Sequence, residues 1–344
     1  MRLVPPVFVA TVLPAGLLMA ASCSRSELPV WEYAKLPVAC VPGDVPLTRA
    51  FPTVMFALDR STSMETEMGG AAQSKNRWQA MGSALAATLP TIDRDVQIGA
   101  TLFPATTSVQ SCNISSTANL IPKRSNVAQL VALMQSSSPG GATPTAAAID
   151  SAANVLLGTR ASNSARALVL ATDGGPDCNE SLNSRNCRCA NSTGSCNSAT
   201  RCLDDVRTVE RISYYAQARG LPTYVIGIQS QGDNSMSDVL DAMAMAGGRP
   251  QSNTTQKYYQ ARSEPELNAA LTAISKLVGT CVYLTSSVPN SGGTIELSLD
   301  SVVLSEDLWR WSERDNGEIE LHPTICQQLL AQSAPQLVAR ITCA

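Results

Sequence analysis

From Phe51 onward the chain alternates between short, continuous apolar runs and segments whose apolar residues recur every three or four positions. Val54–Leu58 and Ala167–Ala171 are runs of the first kind, Ala167–Ala171 being apolar throughout, as strands covered on both faces are, and Val96–Phe103 reads as a strand as well. Arg77–Leu89 is of the second kind, with Trp78, Met81, Leu85 and Leu89 on one side. The same spacing predicts helices over Asn126–Met134, Pro144–Leu157, Asp204–Arg219, Ser235–Met245 and Glu264–Val278, with Pro144 at the favoured first position of its helix. Thr223–Ile228 and Lys257–Gln260 read as further strands, and Ala118–Pro122 as a return antiparallel to Val96–Phe103. Strands alternating with helices predict an α/β fold: a doubly wound, mostly parallel sheet flanked by helices.

After Gly279 the period changes from helical to two. Thr294–Leu299 alternates, with Ile295, Leu297 and Leu299 apolar, and Val302–Leu304, Glu318–Leu321 and Leu337–Thr342 follow as short strands around a helix at Pro323–Leu330. Residues 279–344 are expected to form a small β-rich C-terminal module, of a size that needs covalent support. The α/β domain is assigned to 51–278, and residues 24–50, polar and proline-containing, to a tether.

The N-terminus adds a compartment. Met1-Arg2 precedes an uncharged stretch, Leu3 to Ala21, that ends in small residues before Cys23, the order of a secretory signal peptide over 1–23. Ala20, Ala21 and Ser22 before Cys23 resemble a bacterial lipobox, in which the cysteine is acylated; simple cleavage and a retained anchor are the alternatives. Ser24 after that cysteine resembles an outer-membrane sorting signal. Of the eleven cysteines, Cys23 is thus the lipidation candidate. The other ten, Cys40, Cys112, Cys178, Cys187, Cys189, Cys196, Cys202, Cys281, Cys326 and Cys343, suit disulfides in an oxidising compartment. Five crowd into Cys178–Cys202 and three into the C-terminal module, and the simplest partition gives Cys112 to the first group and Cys40 to the second. Zinc is the competing reading of the cluster, but it has neither a CxxC pair nor a histidine nearby.

The formal net charge of -3 and a charged fraction of 15% exclude nucleic acid as the main partner, because a phosphate backbone demands a concentrated basic surface. A single histidine, His322, excludes Ser-His-Asp triads and multi-histidine metal sites; beside Pro323 it reads as a loop or helix-cap residue. No GxxxxGK[ST] loop is present, and Asp173 with Asp177 is the one imaginable carboxylate pair, so no enzyme is expected.

What stands out is oxygen chemistry. Asp59-Arg60-Ser61-Thr62-Ser63 follows the first long strand, Gly140-Gly141-Ala142-Thr143-Pro144-Thr145 opens a helix, and Thr172-Asp173-Gly174-Gly175 follows Ala167–Ala171. All three belong to one rim of a parallel sheet, where open α/β folds place their ligands. Hydroxyl and carboxylate oxygens without nitrogen or sulfur suit a hard cation.

In this order the three segments resemble the metal-ion-dependent adhesion site of von Willebrand factor type A domains, over roughly Phe51 to Val278. The resemblance implies that Ser61 and Ser63 hold Mg²⁺ (or Mn²⁺ or Ca²⁺) directly, Thr143 directly or through water, and Asp59 and Asp173 through coordinated waters. Together with the lipobox-like N-terminus, it implies a cell-envelope adhesion or binding protein, anchored to the membrane by lipid, that captures an Asp or Glu of a protein partner. The alternative is a metal-independent scaffold whose matching residues only cap helices. Residues 174–203 depart from the family as a long cysteine-rich insert, either a specificity element or a covalently frozen decoration. The C-terminal region resembles modules on secreted or lipid-anchored type A proteins of myxobacteria-like bacteria, with Cys281, Trp309 or Trp311, Cys326 and Cys343 in the matching order.

Overall fold

The computed structural model describes residues 38–68, 75–158, 166–190, 196–230, 232–251, 254–278, 282–332 and 335–344. The chain enters on β1 (Gly43–Pro46) and β2 (Thr48–Arg49). It continues through β3 (Thr53–Asp59), α1 (Arg77–Thr88), β4 (Gln97–Phe103), β5 (Leu120–Lys123), α2 (Val127–Gln135) and α3 (Thr145–Gly158). Next come β6 (Arg166–Thr172), α4 (Asp205–Ala218), β7 (Thr223–Ile228), α5 (Ser237–Ala246), β8 (Tyr259–Ala261) and α6 (Glu264–Val278). The last stretch holds β9 (Val282–Leu284), β10 (Thr294–Leu299), β11 (Val302–Val303), β12 (Trp309–Glu313), β13 (Glu318–Leu321), α7 (Pro323–Ala331) and β14 (Leu337–Thr342).

The central sheet has six strands in the order β5-β4-β3-β6-β7-β8, parallel except for β5, which returns antiparallel to β4. Its period of two splits the core into two layers. Val54, Phe56 and Leu58 of β3 pack with α1, α2 and α6, whereas Met55 and Ala57 pack with α3, α4 and α5. Every residue of β3 is buried, which explains why its sequence is a continuous apolar run. The sheet is the α/β fold expected, with element ends moved by a residue or two.

The small module is a sandwich of two antiparallel four-stranded sheets, β1-β14-β10-β11 and β12-β13-β9-β2. Leu297, Leu299, Ile319, Leu321, Ala339 and Ile341 alternate inward to make its core, closed by Ile325 and Leu329 of α7. Trp309 and Trp311 pack edge to face with ring centroids 6.0 Å apart. His322 is the N-cap of α7, where Nδ1 accepts from the Thr324 backbone N–H.

The tether assigned to 24–50 requires correction. Its described part is integral to the sandwich: β1 pairs with β14, β2 with β9, and Cys40 is disulfide-bonded to Cys343. The α/β domain is therefore inserted between β2 and β9, and the module is built from both ends of the chain. Strands of four and two residues carry too little periodicity to be read locally, and Pro46 lacks the N–H that a strand donates. It is tolerated because β1 lies at a sheet edge. Cys326 is disulfide-bonded as well. The signal peptide, Cys23 and Cys281 lie outside the described residues. Among the described residues no helix is long and apolar enough to cross a membrane.

Candidate metal centre

β3 and β6 are neighbours at the middle of the sheet, so the loops leaving their carboxyl ends meet. Asp59 is the last residue of β3 and is fully buried. Its Oδ1 accepts the Ser61 backbone N–H at 2.8 Å and its Oδ2 the Thr172 hydroxyl at 2.6 Å. These two bonds turn the chain so that Ser61 and Ser63 face the end of β6. Ser61 Oγ lies 2.9 Å from Ser63 Oγ, and Ser63 Oγ donates to Asp173 Oδ1 at 2.8 Å.

The third segment is brought in by Gly141. At φ +87 this position is favourable only to glycine, and a Cβ there would lie 2.7 Å from Pro104 Cγ. Its carbonyl accepts both the backbone N–H and the hydroxyl of Thr62, at 3.1 and 3.0 Å. Thr143 follows, with its backbone N–H on Asp177 Oδ1 at 2.7 Å and its carbonyl accepting from the Asp177 N–H at 2.9 Å. The backbone of Thr143 is thus satisfied, but its buried hydroxyl has no partner among the described residues. Asp59, Ser61, Ser63, Thr143 and Asp173 all stand on one rim, joined by this network.

Charge is poorly balanced there. Burial, and then the charge of Asp173, hold the Asp59 carboxyl well above the usual carboxylate range. Burial also raises Asp173, against the pull of Arg77. Asp177, buried beside Thr143, is pushed up to about 6. A cation in contact with the site is Arg77, whose Nη1 meets Asp173 Oδ2 at 2.7 Å and whose Nη2 reaches Ser230 at 2.8 Å and Asp233 at 3.7 Å. Closely spaced hydroxyl oxygens, an unpartnered buried hydroxyl and two carboxylates held above their normal range suit a hard divalent cation. Nothing in the set suits a soft one.

Arg77 is the residue that sequence reasoning passed over, and Thr172, quoted there only as part of its segment, was given no role. Arg77 opens α1 behind a capping box made by Asn76 and Gln79. A cation in the first turn of a helix opposes the helix dipole, and that local misfit was the available signal. Thr172 stands in the quoted segment, but nothing in the sequence showed that its hydroxyl would donate to Asp59.

The insert runs along this rim. Cys112–Cys178 ties the loop after β4 to it, and Cys187–Cys202 and Cys189–Cys196 fold it on itself. Three of its cysteine sulfurs, those of Cys187, Cys196 and Cys202, lie within 4.8 Å of one another, but each belongs to a disulfide.

Residues 54–176 match the family model of the von Willebrand factor type A domain. No curated protein matches the chain. Among solved structures, the PilB minor pilin from Streptococcus sanguinis is 16% identical, with a TM-score of 0.46 over 67% of this chain and 62% of that one. The open conformation of the pilus adhesin SpaC from Lactobacillus rhamnosus GG is 15% identical, with a TM-score of 0.48 over 87% of this chain and 41% of that one. The manganese-loaded TRAP protein of Plasmodium vivax is 19% identical, with a TM-score of 0.44 over 71% of this chain and 80% of that one. The chain thus spans less than two thirds of the length of the minor pilin and of the pilus adhesin.

Proposed function

Starting from a chain that carries a von Willebrand factor type A domain, we propose that it is a binding protein of the cell envelope that takes an acidic group of a protein partner through a divalent cation. The observation that carries this reading is the buried Thr143 hydroxyl without a partner, on the same rim as the Ser61–Ser63–Asp173 chain of oxygens. Ser61, Ser63 and Thr143 would hold Mg²⁺, or Mn²⁺ or Ca²⁺ in its place, while Asp59 and Asp173 would support it through water. When bound, the cation supplies an electrophilic coordination position for a carboxylate.

The protein's own part is orientation. Asp59 holds the Ser61 loop by its backbone, so Ser61→Ala removes a ligand while keeping the loop, whereas Asp59→Ala releases the loop itself. Arg77 fixes one oxygen of Asp173 and leaves the other to Ser63. The role proposed for this site is binding. The signal pattern ending at Cys23 supports export and lipid anchoring, in an outer membrane where such a cysteine is followed by Ser24.

Calorimetric titration of the full chain with Mg²⁺ tests the reading. Uptake of an ion that is abolished in Asp59→Ala and weakened in Ser61→Ala is expected; absence of uptake by the native chain removes the cation. One observation favours a metal-independent scaffold: Arg77 already neutralises part of Asp173 from within. Partner capture unchanged by EDTA would select that reading.

A further inference from the structure

A groove of about 390 Å³ opens beside the candidate metal centre. Its inner end is Thr62, which stands between Ser61 and Ser63, together with Gly141 and Ala142, which precede Thr143. One wall is the loop after β4, presenting Val109 and Gln110; the other is the cysteine-rich insert, presenting Thr200 and Arg201.

Both walls are fixed. The loop is bound to the insert by Cys112–Cys178 and to the Thr143 segment by the Ala142 N–H on the Ser111 carbonyl at 3.0 Å. Thr106 and Ser111 close it with a hydroxyl contact of 2.6 Å, and Gln110 holds a left-handed φ of 58. The insert is locked by two further disulfides and by Ala190 and Leu203, which are buried in the core under α5. On this rigid frame Val109 is 90% exposed, the most exposed of the large apolar side chains described. An apolar side chain held out by a covalently pinned loop is preorganised for contact: a partner that covers it loses little loop entropy. The opposite lining holds Arg201, which is exposed, and Asp177, whose carboxylate lies within the field of Arg201 but is buried and committed to the Thr143 backbone N–H, so the exposed charge of the lining is that of Arg201.

We infer that this groove is the specificity site for an extended acidic segment of a protein partner, resting on the cation reading above. One acidic side chain of the segment reaches the metal centre, an apolar side chain covers Val109, and a second acidic side chain pairs with Arg201. Charge complementarity selects this occupant: a hydroxyl-liganded divalent ion at the inner end and a guanidinium at the outer wall both attract carboxylates. The groove volume accommodates a few side chains rather than a folded domain. The disulfides of the insert then serve to hold Arg201 at a set distance from the cation, which a flexible loop could not do.

The test pans a phage-displayed random dodecapeptide library against the immobilised full chain in Mg²⁺. Binding of the enriched peptide is then measured by fluorescence anisotropy to the native chain, Val109→Ser and Arg201→Glu, with Mg²⁺ uptake measured in parallel. The enriched sequences are expected to carry two acidic residues flanking an apolar one. Each substitution is expected to weaken binding at least tenfold with Mg²⁺ uptake unchanged. Replacing the outer acidic residue of the peptide by lysine is expected to restore binding to Arg201→Glu. Enrichment of no acidic sequence, or equal binding to all three proteins, overturns the groove while leaving a measured Mg²⁺ uptake intact. Peptide binding that is sensitive to Arg201→Glu but indifferent to EDTA sustains the groove and removes the cation.

Discussion

At the carboxyl end of the central sheet the chain gathers oxygens whose charge and hydrogen-bonding capacity it does not fully meet from within. At the other end it builds a sandwich in which Leu297, Ala339, Ile341 and Ile319 share one buried apolar cluster. The rim is held by cross-links that are short along the chain, with separations of 66, 15 and 7 residues. The sandwich is closed by one that spans 303. The difference is one of purpose. Short closures remove less disorder from the unfolded chain than long ones, and at the rim they also fix local geometry. A closure over 303 residues acts on whether two distant chain ends find each other.

The largest expected effect follows from that contrast. Replacing Cys40 and Cys343 together by serine should destabilise the sandwich by about 5 kcal/mol, the upper end for a loop of this length. Calorimetry should show the unfolding of the sandwich moving to lower temperature, while Mg²⁺ uptake at the far rim persists. If both ends of the molecule lose function together, they are one cooperative unit and the contrast fails.

A smaller effect, about 3 kcal/mol, is expected from Arg77→Gln, which leaves the buried Asp173 carboxylate without its guanidinium. Here the rim's deficit becomes visible, because saturating Mg²⁺ should restore much of the lost thermal stability by binding the folded form alone. A loss that Mg²⁺ leaves untouched would mean that the two carboxylates are balanced by protein groups only.

How much of this was legible varies with the range of the contacts. The α/β domain could be read because each strand and helix announces itself within a dozen residues, and Glu264–Val278 and Thr223–Ile228 fall where periodicity puts them. The three rim segments could be read because each follows or opens such an element. The sandwich could be read only in part. Thr294–Leu299 alternates visibly, but Gly43–Pro46 becomes a strand only by pairing with Leu337–Thr342, almost the whole chain away. Nothing in its own composition distinguishes it from a linker. Cysteine parity pointed toward Cys40 as a partner for the C-terminal group, since parity is a property of the whole chain. The strands beside Cys40, whose pairing is equally non-local, left no such trace.

The finest distinction between the two regions rests on a single hydroxyl. The sandwich also buries a polar atom without a partner among the described residues, Trp309 Nε1, and there it is a plain cost, whereas at the rim the Thr143 hydroxyl stands where the proposed cation would sit. Thr143→Val keeps the shape and removes only that oxygen. A hydroxyl that meets no partner contributes nothing to the apo fold, so the variant should unfold within about 0.5 kcal/mol of the native chain, on the stable side if at all. Mg²⁺ affinity should nevertheless fall about tenfold, equivalent to about 1.4 kcal/mol, because a ligand oxygen has been lost. Thermal unfolding in EDTA measures the first quantity and calorimetric titration the second. Equal loss in both would make Thr143 a structural residue whose hydroxyl serves the helix start, and unchanged affinity would leave the centre to Ser61, Ser63 and the two carboxylates. Only the split outcome, stability kept and affinity lost, assigns the unpartnered oxygen to the ion.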